Sequence, residues 1–384
     1  MKIALLGFDF YSPNKGCEAL SYSFLNIIKS LNLSEKIEIH NFTYGEIGNI
    51  PNCFPEFDFY VNRLHFKEFG SLSKLKKTFD KFDAIFDVTF GDGFSDIYGF
   101  KWNCITNLTK ALAEKSSAKF ILLPQTYGPF KHILTKKWSL KIIKRATRVF
   151  TRDVLSKKYI LDNLKIDNVV SLVDMAFMLP FEKKKLDGTN IGLNVSSLLF
   201  DSKYSKENKF EFLLDYREFI YDVIDYFLSK NCTIHLIAHV IDKRNYSSPE
   251  NDYRIIEELK KKYNSKKVIV APAFDNPIDA KSYISSMNLF IGSRMHATIA
   301  SISAMVPTIA LSYSRKFEGL YESIGYKYLF SGKNYDNKQA LDFIINCWEQ
   351  EYDEMKINVK KSKIIIDENC DKMKEELKKI FEGK

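Results

Sequence analysis

Long hydrophobic runs are absent from this 384-residue sequence. No stretch approaches the ~18 consecutive apolar residues that a membrane-spanning helix needs. The opening segment, Met1 to Gly7, has too short an apolar run for a signal peptide, so we predict it to be a first strand. We therefore expect a cytoplasmic protein that does not cross a membrane. A peripheral contact with the inner face of a membrane stays open.

Metal-binding and disulfide patterns are also absent. The sequence lacks CxxC and Cys/His ligand spacing, and its six cysteines are scattered: Cys17, Cys53, Cys104, Cys232, Cys347 and Cys370. A structural zinc site and a disulfide framework are not expected, and we interpret these residues as reduced, mostly buried thiols. The signatures HExxH, GxSxG and the Walker loop are missing too, which excludes several classes of enzyme. No metal and no cofactor is predicted.

The charge is only moderately positive. The sequence has 57 basic and 48 acidic residues, which gives a net charge of +9. That charge is compatible with an anionic ligand, a membrane surface or a lysine-rich proteome, and it does not choose among them. Nucleic-acid binding is not expected, because the basic residues are dispersed among acidic ones and no nucleic-acid motif is present.

The order of predicted elements indicates two α/β domains. Strands alternate with helices in both halves, which is typical of parallel sheets. The lysine-rich segment Glu182 to Gly188 is the best linker candidate, because a new α/β series begins directly after it. We predict two Rossmann-like domains, residues 1–182 and 189–335, followed by a helical tail at residues 336–384. Between the second and third strands, Gly45 to Asn62 is predicted to be an irregular loop.

Polar residues follow several predicted strands of the first half. The candidates at these strand ends are Glu18, Asp92, Gln125, Arg152 and Asp174. Glycines flank Asp92, which suggests a close approach between backbone and ligand. Glu18 lies where a Gly-containing loop meets a predicted helix N-terminus, an arrangement that could cradle an anion. The alternatives are a turn aspartate at Asp92 and, at Glu18, an acidic residue that is favourable at a helix start.

The helix predicted at Thr135 to Thr147 carries a basic face. Its basic residues recur at spacings of three and four: Lys136, Lys137, Lys141, Lys144 and Arg145. Such a face can bind anionic lipid head groups. A solvated charged face is the alternative.

The segment Asn288 to Pro307 carries the sharpest local signal. An apolar strand ends at a glycine, Arg294 and His296 follow, and a small-residue helix is predicted at Ala297 to Met305. Helix N-termini beyond parallel strands favour anions, arginine binds carboxylate or phosphate in a bidentate manner, and histidine exchanges protons near neutral pH. A small anionic substrate is the first hypothesis. The alternative is a histidine that caps a helix and an arginine that is paired with a carboxylate.

The next strand ends in a similar way. Tyr313, Ser314, Arg315 and Lys316 follow it directly. Two consecutive strand ends with cationic side chains strengthen the case for a pocket that binds carboxylate and phosphate groups. For Lys316, a solvated surface charge is the alternative.

Together these landmarks resemble the polysaccharide pyruvyl transferase family. The matching pieces are the Lys15–Ala19 loop, the segment QTYGPF from Gln125 to Phe130, Thr151-Arg152-Asp153, Asp174, and SRMHA at Ser293–Ala297 with Tyr313 and Lys316. The most specific of these is SRMHA followed by a small-residue helix and Val-Pro. Two positions depart from the family pattern: Cys17 replaces an acidic residue, and the usual glycine run is reduced to Gly91-Asp92-Gly93.

The resemblance implies a fold, a reaction and roles for residues. The fold would be GT-B-like, with the two domains facing each other across a cleft. The enzyme would transfer pyruvate from phosphoenolpyruvate to a sugar of a lipid-linked or polymeric acceptor, as a ketal, in capsule, exopolysaccharide or cell-wall polysaccharide synthesis. Arg294, Lys316 and Arg152 would hold the donor. His296 would act as the acid or stabilise the phosphate.

Other roles follow from the same resemblance. The bases would be Asp92 or Glu18 from the acceptor half, and Gln125, Asp174 and Ser293 are further substrate-binding candidates. Phosphoenolpyruvate is a substrate here, so no cofactor is implied. Two other classes stay open, a GT-B glycosyltransferase that uses a nucleotide sugar and a non-catalytic protein that binds saccharides or lipid head groups.

Overall fold

The computed structural model describes residues 1–44, 54–64, 71–201 and 211–383. They form two compact units. Unit 1 comprises Met1–Ser12, Leu20–Met175 and Asn369–Lys384. Unit 2 comprises Pro13–Ala19 and Ala176–Glu368. The boundary between Met175 and Ala176 precedes the predicted linker, and the short segment Pro13–Ala19 is grouped with unit 2.

Unit 1 is built on a parallel sheet of seven strands. In chain order they are β1 (Lys2–Leu6), β2 (Glu38–Thr43), β3 (Asp58–Arg63), β4 (Ala84–Asp87), β5 (Lys119–Gln125), β6 (Arg148–Thr151) and β7 (Val169–Ser171). Their order across the sheet is β3-β2-β1-β4-β5-β6-β7, and every neighbouring pair is parallel. The direction of winding therefore reverses between β1 and β4.

Described helices follow β1, β3, β4, β5 and β6, as is usual for crossovers between parallel strands. They are α1 (Lys15–Ser30), α2 (Leu72–Phe79), α3 (Phe100–Glu114), α4 (Ile133–Arg145) and α5 (Val154–Asn163). The central strands are apolar and buried; in β1, Ile3, Ala4 and Leu5 have no exposed surface. Such near-continuous apolar strands are typical of parallel sheets whose two faces are both covered.

Unit 2 repeats this plan with six parallel strands. They are β8 (Asn190–Asn194), β9 (Thr233–Ile237), β10 (Val268–Val270), β11 (Leu289–Gly292), β12 (Thr308–Ser312) and β13 (Leu329–Ser331). Its first helices are α6 (Ser197–Phe200), α7 (Tyr216–Ser229), α8 (Asp252–Tyr263) and α9 (Pro277–Ile284). The later ones are α10 (Met295–Ser303), α11 (Arg315–Ser323) and α12 (Asn337–Glu349). The strand order is β10-β9-β8-β11-β12-β13, so the winding reverses between β8 and β11.

The chain ends in a long helix, α13 (Tyr352–Phe381). Its last part belongs to unit 1. There the ring of Phe381 stacks on Phe86 with centroids 5.4 Å apart, and Glu376 accepts from Arg148 Nε at 2.9 Å. The prediction of a helical tail is confirmed.

The predicted fold class of two parallel α/β domains is confirmed. The irregular loop predicted at Gly45 to Asn62 is wrong in its last part, because β3 begins at Asp58 and pairs with β2. Residues 45–53 of that loop, Cys53 included, lie outside the described residues. The five described cysteines are free thiols. Among the described helices, none is both long enough and apolar enough to cross a membrane.

Candidate functional site

The candidate site of unit 2 lies where the winding of its sheet reverses. In open parallel sheets, ligands bind beyond the carboxyl ends of the strands at this switch point. Asn194 is the last residue of β8, and His239, Arg294 and Tyr313 follow β9, β11 and β12 within two residues. The Arg294 amide donates to Asn194 Oδ1 at 2.9 Å, which ties the two loops of the switch point together.

The turn from β11 into α10 is fixed by a close approach at Gly292. A Cβ at this position would lie 2.7 Å from the Phe290 ring and 3.0 Å from Thr298 Cγ2, so a larger residue would force these neighbours to move. Arg294 is the N-cap residue of α10 and makes no side-chain cap hydrogen bond. His296 is the second residue of the helix, so it is not the helix cap that the sequence left open as an alternative.

Arg294 is paired with a buried carboxylate, Asp252, at the start of α8. Its Nε and Nη2 atoms donate to the two carboxylate oxygens of Asp252 at 3.1 and 2.7 Å. Burial opposes the charge on Arg294, but Asp252 more than offsets this effect and raises the pKa of the guanidinium. Arg294 is therefore a fixed cation at every working pH. Its Nη1 atom donates no hydrogen bond within the described part of the chain, so one edge of the guanidinium remains available.

Asp252 itself holds several elements of the site in place. Besides Arg294, it accepts hydrogen bonds from the amides of Ser197, His239 and Val240 at 2.9, 3.2 and 2.9 Å. Its side chain has no exposed surface. Asp252 is not among the site residues predicted from the sequence, because it follows an irregular segment rather than a predicted strand.

The segment Pro13–Ala19 brings a second buried ion pair to unit 2. The Lys15 amide donates to the His239 carbonyl at 2.9 Å. Lys15 Nζ donates to Glu18 Oε2 at 2.6 Å and to the Asp275 carbonyl at 3.3 Å. Glu18 was expected on the acceptor side with Asp92. The structure instead groups it with unit 2, because backbone hydrogen bonds attach this segment to the loop after β9.

Gly16 in this segment makes room for the candidate acid. A Cβ at Gly16 would lie only 2.4 Å from His296 Nδ1. The imidazole of His296 therefore packs directly against the backbone at the start of α1. This contact explains the glycine in the loop that the sequence suggested could cradle an anion.

His239, like Asp252, is a residue of the site that the sequence pattern did not predict. It is 3% exposed, and neither ring nitrogen has a hydrogen-bond partner among the described residues. Burial lowers the pKa of His239 well below its usual value, and His296, Arg294 and Lys15 lower it further. The ring is therefore neutral near pH 7. Its position directly after an apolar strand was the signal that could have identified it.

Ser293 and Lys316 differ in their accessibility. Ser293 is buried, and its hydroxyl is 2.7 Å from the hydroxyl of Tyr216, which also accepts from the Ser196 amide. Ser293 thus supports the turn. Lys316 is half-buried in the first turn of α11, with Nζ 5.8 Å from the centroid of the Tyr313 ring. Tyr313 in turn lies close enough to Arg294 to raise the pKa of the guanidinium.

Unit 1 contains a second cluster, at the carboxyl ends of its own strands. Arg152 Nη1 donates to Asp174 Oδ2 at 2.7 Å, and Arg152 Nε and Nη2 donate to Thr126 Oγ1 at 3.1 and 2.8 Å. A Cβ at Gly91 would lie 3.1 Å from Arg152 Nη1. The family resemblance implies that Arg152, Arg294 and Lys316 together hold the donor. The structure places Arg152 and Asp174 in unit 1 and the other two residues in unit 2.

Gln125 belongs to a buried polar network of unit 1. Its Nε2 donates to the Asp87 carbonyl and to Asp87 Oδ2 at 3.0 and 3.2 Å. Lys110 Nζ lies 3.7 Å from Asp87 Oδ1, and both side chains are almost completely buried. Burial raises the pKa of Asp87 and lowers that of Lys110, and each partner opposes the shift of the other. Gln125 thus supports the end of β4.

Asp92 follows a strained turn. Thr89, Phe90 and Gly91 have φ values of 36°, 56° and 87°, a left-handed conformation that is costly for the first two. The hydroxyl of Thr89 donates to Asp87 Oδ2 at 2.7 Å, which helps to hold the turn. Asp92 is buried, and its Oδ1 accepts from the Tyr98 hydroxyl at 2.9 Å. This turn leads into Gly91-Asp92-Gly93, the segment in which the glycine run that is usual in the resembled family is reduced.

Within residues 1–44, 54–64, 71–201 and 211–383, no group of three His, Cys, Asp or Glu side chains is arranged to hold a metal ion. The candidate site of unit 2 includes the charged groups of Lys15, Glu18, Asp252 and Arg294. The imidazoles of His239 and His296 lie near them.

The architecture defines the class of protein first. The chain has a GT-B-like fold, and its similarity to solved structures extends over its whole length. A putative UDP-N-acetylglucosamine 2-epimerase from Listeria monocytogenes superimposes with a TM-score of 0.61 at 11% identity and covers 100% of this chain and 97% of its own. HepE from Anabaena in complex with UDP gives 0.58 at 9% identity, with 100% of both chains covered. The E. coli structure described as trehalose-6-phosphate bound with UDP-2-fluoro glucose gives 0.57 at 9%, covering 98% and 99%.

The sequence then defines the family. This chain belongs to the polysaccharide pyruvyl transferase family, whose model matches residues 14–315. The match covers every candidate site residue except Lys316, which lies one position beyond it. No curated protein matches the chain.

Proposed function

We propose that this protein transfers pyruvate from phosphoenolpyruvate to two hydroxyls of a sugar, as a ketal, in the synthesis of a capsule, exopolysaccharide or cell-wall polysaccharide. The observation that carries the proposal is the basic cluster of unit 2, formed by Arg294, His296 and Lys316 beyond the carboxyl ends of β11 and β12. Arg294 and His296 lie within the range that matches the family model. The acceptor is a saccharide on a lipid carrier or a polymer.

The reaction needs cations, an acid and a base. A proton is added to the methylene carbon of phosphoenolpyruvate, which becomes a methyl group, while C2 develops positive charge. Two sugar hydroxyls form bonds to C2 in turn, phosphate leaves, and the hydroxyl protons are taken up by a base and by the phosphate. The donor carries a carboxylate and a phosphate on adjacent groups, so fixed cations favour its binding.

Arg294 is the first donor-binding residue of the proposal. Asp252 orients its guanidinium through two hydrogen bonds, and the raised pKa keeps it charged. The Nη1 edge, which Asp252 does not occupy, would bind a carboxylate or phosphate oxygen. Lys316, in the first turn of α11, would be the second cation. A contribution of Arg152 stays a prediction, since its hydrogen bonds go to Asp174 and Thr126.

His296 would donate the proton to the methylene carbon or bind the phosphate. Its ring is held against the backbone of Gly16, a contact that limits its orientation. His239 lies close enough for an electrostatic effect and is neutral, so it does not compete for the anion as a second cation. A positioned acid of this kind typically contributes 10²–10⁴-fold to the rate.

Glu18 and Asp92 remain the two candidates for the base. The Glu18 carboxylate is paired with Lys15 at 2.6 Å, and Asp92 Oδ1 accepts from Tyr98 at 2.9 Å. Substitution of each by its amide keeps the shape and removes the base. The variant that loses turnover while it keeps its affinity for phosphoenolpyruvate identifies the base.

The test uses phosphoenolpyruvate labelled in the pyruvyl carbons and a panel of saccharide acceptors. We expect label in the saccharide and an equal amount of free phosphate. Arg294→Ala and His296→Ala should each lower kcat/KM by about 10²–10⁴-fold, the range for lost charge stabilisation or acid catalysis. Arg315→Ala is the matched control, because Arg315 is exposed and lies next to Lys316.

Activity that persists in both Arg294→Ala and His296→Ala would refute the assignment of the site. Donor binding without phosphate release, with any acceptor, would instead favour a non-catalytic binding protein. An effect of Arg315→Ala as large as that of Arg294→Ala would show that general positive charge, rather than the oriented guanidinium, supports the activity.

A second function is favoured by the structural neighbours. HepE was solved with UDP, and the E. coli protein with UDP-2-fluoro glucose. A GT-B glycosyltransferase that uses a nucleotide sugar is therefore the alternative. Thermal-shift titrations separate the two: stabilisation by phosphoenolpyruvate and not by UDP, GDP or CMP sugars supports pyruvyl transfer, and the reverse supports the alternative.

A further inference from the structure

Five large apolar side chains are exposed in two adjoining segments of unit 1. Isolated apolar residues on a protein surface are ordinary, whereas a group of them marks an interaction site. The group, here called the apolar tip, consists of Ile97, Tyr98, Phe100, Ile133 and Leu134, with exposed fractions of 62%, 56%, 47%, 68% and 71%. These residues lie in the loop before α3, at the start of α3 and at the start of α4.

The two segments of the apolar tip are fastened to each other. Asp96 Oδ2 accepts hydrogen bonds from the amides of Lys131 and His132, and Asp96 Oδ1 accepts from Asn103 Nδ2 at 3.0 Å. The Phe100 ring meets the His132 ring edge to face at 5.2 Å. The apolar side chains are therefore presented by two segments that hydrogen bonds and a ring contact hold together.

Uncompensated positive charge borders the apolar tip. Helix α4 contains no acidic residue, and its exposed basic residues include Lys137, Lys141 and Lys144. None of these three forms an ion pair within the described residues. By contrast, two lysines of α13 have carboxylate partners: Lys356 is 3.0 Å from Asp353, and Lys363 is paired with Asp367.

We propose that the apolar tip and the basic face of α4 dock this protein on the surface of an anionic lipid bilayer. Aromatic and aliphatic side chains enter the interface between head groups and acyl chains, while lysines bind the anionic head groups. The positive charge of α4 favours an anionic bilayer over a neutral apolar protein partner, because such a partner would leave the lysines without counter-charges. The contact is peripheral.

The docking surface adjoins one of the candidate bases. Tyr98 belongs to the apolar tip, and its hydroxyl donates to Asp92 Oδ1 at 2.9 Å. If the proposed function holds, a docked protein would meet acceptor saccharides that are attached to lipid in the same membrane. The docking itself does not depend on the proposed function, and its test uses no enzyme assay.

The experiment is a vesicle flotation assay with the full chain. One set of vesicles contains phosphatidylcholine and phosphatidylglycerol at about 70:30, and a second contains phosphatidylcholine alone. The wild type should float with the anionic vesicles, and binding should weaken as salt rises. Each lysine at an anionic surface contributes about fivefold to partitioning, so Lys137→Glu with Lys141→Glu and Lys144→Glu should lower binding by about a hundredfold or more.

The apolar part is tested by a second variant. Ile133→Ser with Leu134→Ser should lower binding by about tenfold or more, because both side chains leave water on docking. Since both are exposed in the free protein, the melting temperature should stay within about 2 °C of the wild type. This measurement separates lost docking from lost folding.

The matched control changes the same residue types on α13. Ile364 is 60% exposed, and Lys360 and Lys361 are exposed beside it. Ile364→Ser with Lys360→Glu and Lys361→Glu should leave flotation unchanged. The proposal is overturned if the wild type does not bind anionic vesicles, or if the α13 variant loses as much binding as the α4 variant. Self-association in ultracentrifugation that Ile133→Ser with Leu134→Ser abolishes, without vesicle binding, would assign the surface to a second copy and would also overturn it.

Discussion

Each unit has an arginine paired with a buried aspartate at the carboxyl ends of its strands. In unit 1 the pair is Arg152–Asp174, with side chains 2% and 0% exposed. In unit 2 it is Arg294–Asp252, with 11% and 0%. The guanidinium of unit 1 is enclosed by Thr126 and the close-packed Gly91. In unit 2, Arg294 Nη1 donates to no acceptor among the described residues, and imidazoles and a lysine lie nearby.

We infer from this difference that the two ion pairs have different roles. A fully enclosed ion pair fixes the loops around it and offers little to a ligand. A pair with one accessible edge orients a cation whose remaining donors can bind an anion, and the neighbouring groups then determine the chemistry. The following substitutions test whether the distinction holds.

The largest effect on stability is expected from removal of either buried aspartate. Asp252→Ala and Asp174→Ala each leave a buried guanidinium without its counter-charge, which typically costs about 3–5 kcal/mol. Urea unfolding measures the loss. The control is Asp275→Ala, because the Asp275 side chain is 84% exposed and its surface pair with Lys243 is worth about 0–1 kcal/mol. Buried substitutions that cost no more than this control would contradict the shared role of the two pairs.

The enclosed character of the unit 1 pair is tested at Gly91. Gly91→Ala places a Cβ 2.7 Å from Leu20 Cδ1 and 3.1 Å from Arg152 Nη1, at a φ of 87°. Gly99 has the same φ and no atom within 4 Å of the added Cβ, so Gly99→Ala measures the backbone strain alone. We expect about 1–3 kcal/mol for the strain in both variants and an additional cost at Gly91. Thermal unfolding compares them, and equal losses would show that Arg152 is not tightly enclosed.

The sequence predicted much of this architecture, and the failures have physical causes. Strands that are buried on both faces are near-continuous apolar runs, so the sequence predicts β1 and β11 correctly. Strand β3, DFYVNR, is a sheet edge with a half-exposed, polar sequence, which favoured a loop. The Arg294 and His296 signal was readable because it is local. The placement of Glu18 depends on the hydrogen bond between Lys15 and His239, residues far apart in the sequence, and no local pattern reports it.

The smallest expected effect is a dependence of stability on pH, which arises from His239 in unit 2. The pKa of His239 is well below its usual value in the folded state, mainly through burial, and it returns to ~6.5 on unfolding. Stability from the neutral ring is therefore fully present above about pH 6.5 and falls as the pH drops below it, by at most ~1.4 kcal/mol per pH unit. His239→Gln should lose this part of the acid-induced destabilisation between pH 6.5 and 5.

The control for this prediction is His132→Gln, since His132 is exposed. His235, whose pKa burial lowers to about 4, contributes equally to the wild type and to both variants. Urea midpoints at the two pH values give the comparison. An unchanged pH dependence in His239→Gln would mean that the ring is not held neutral by its surroundings.

The central claim is that the basic cluster of unit 2 binds the donor. A crystal structure of the protein with phosphoenolpyruvate, or with an unreactive analogue, tests it most directly. We expect the carboxylate and phosphate groups to contact Arg294, His296 and Lys316 beyond the carboxyl ends of β11 and β12. A donor bound away from these three residues, or a nucleotide sugar that binds there while phosphoenolpyruvate does not, would contradict it.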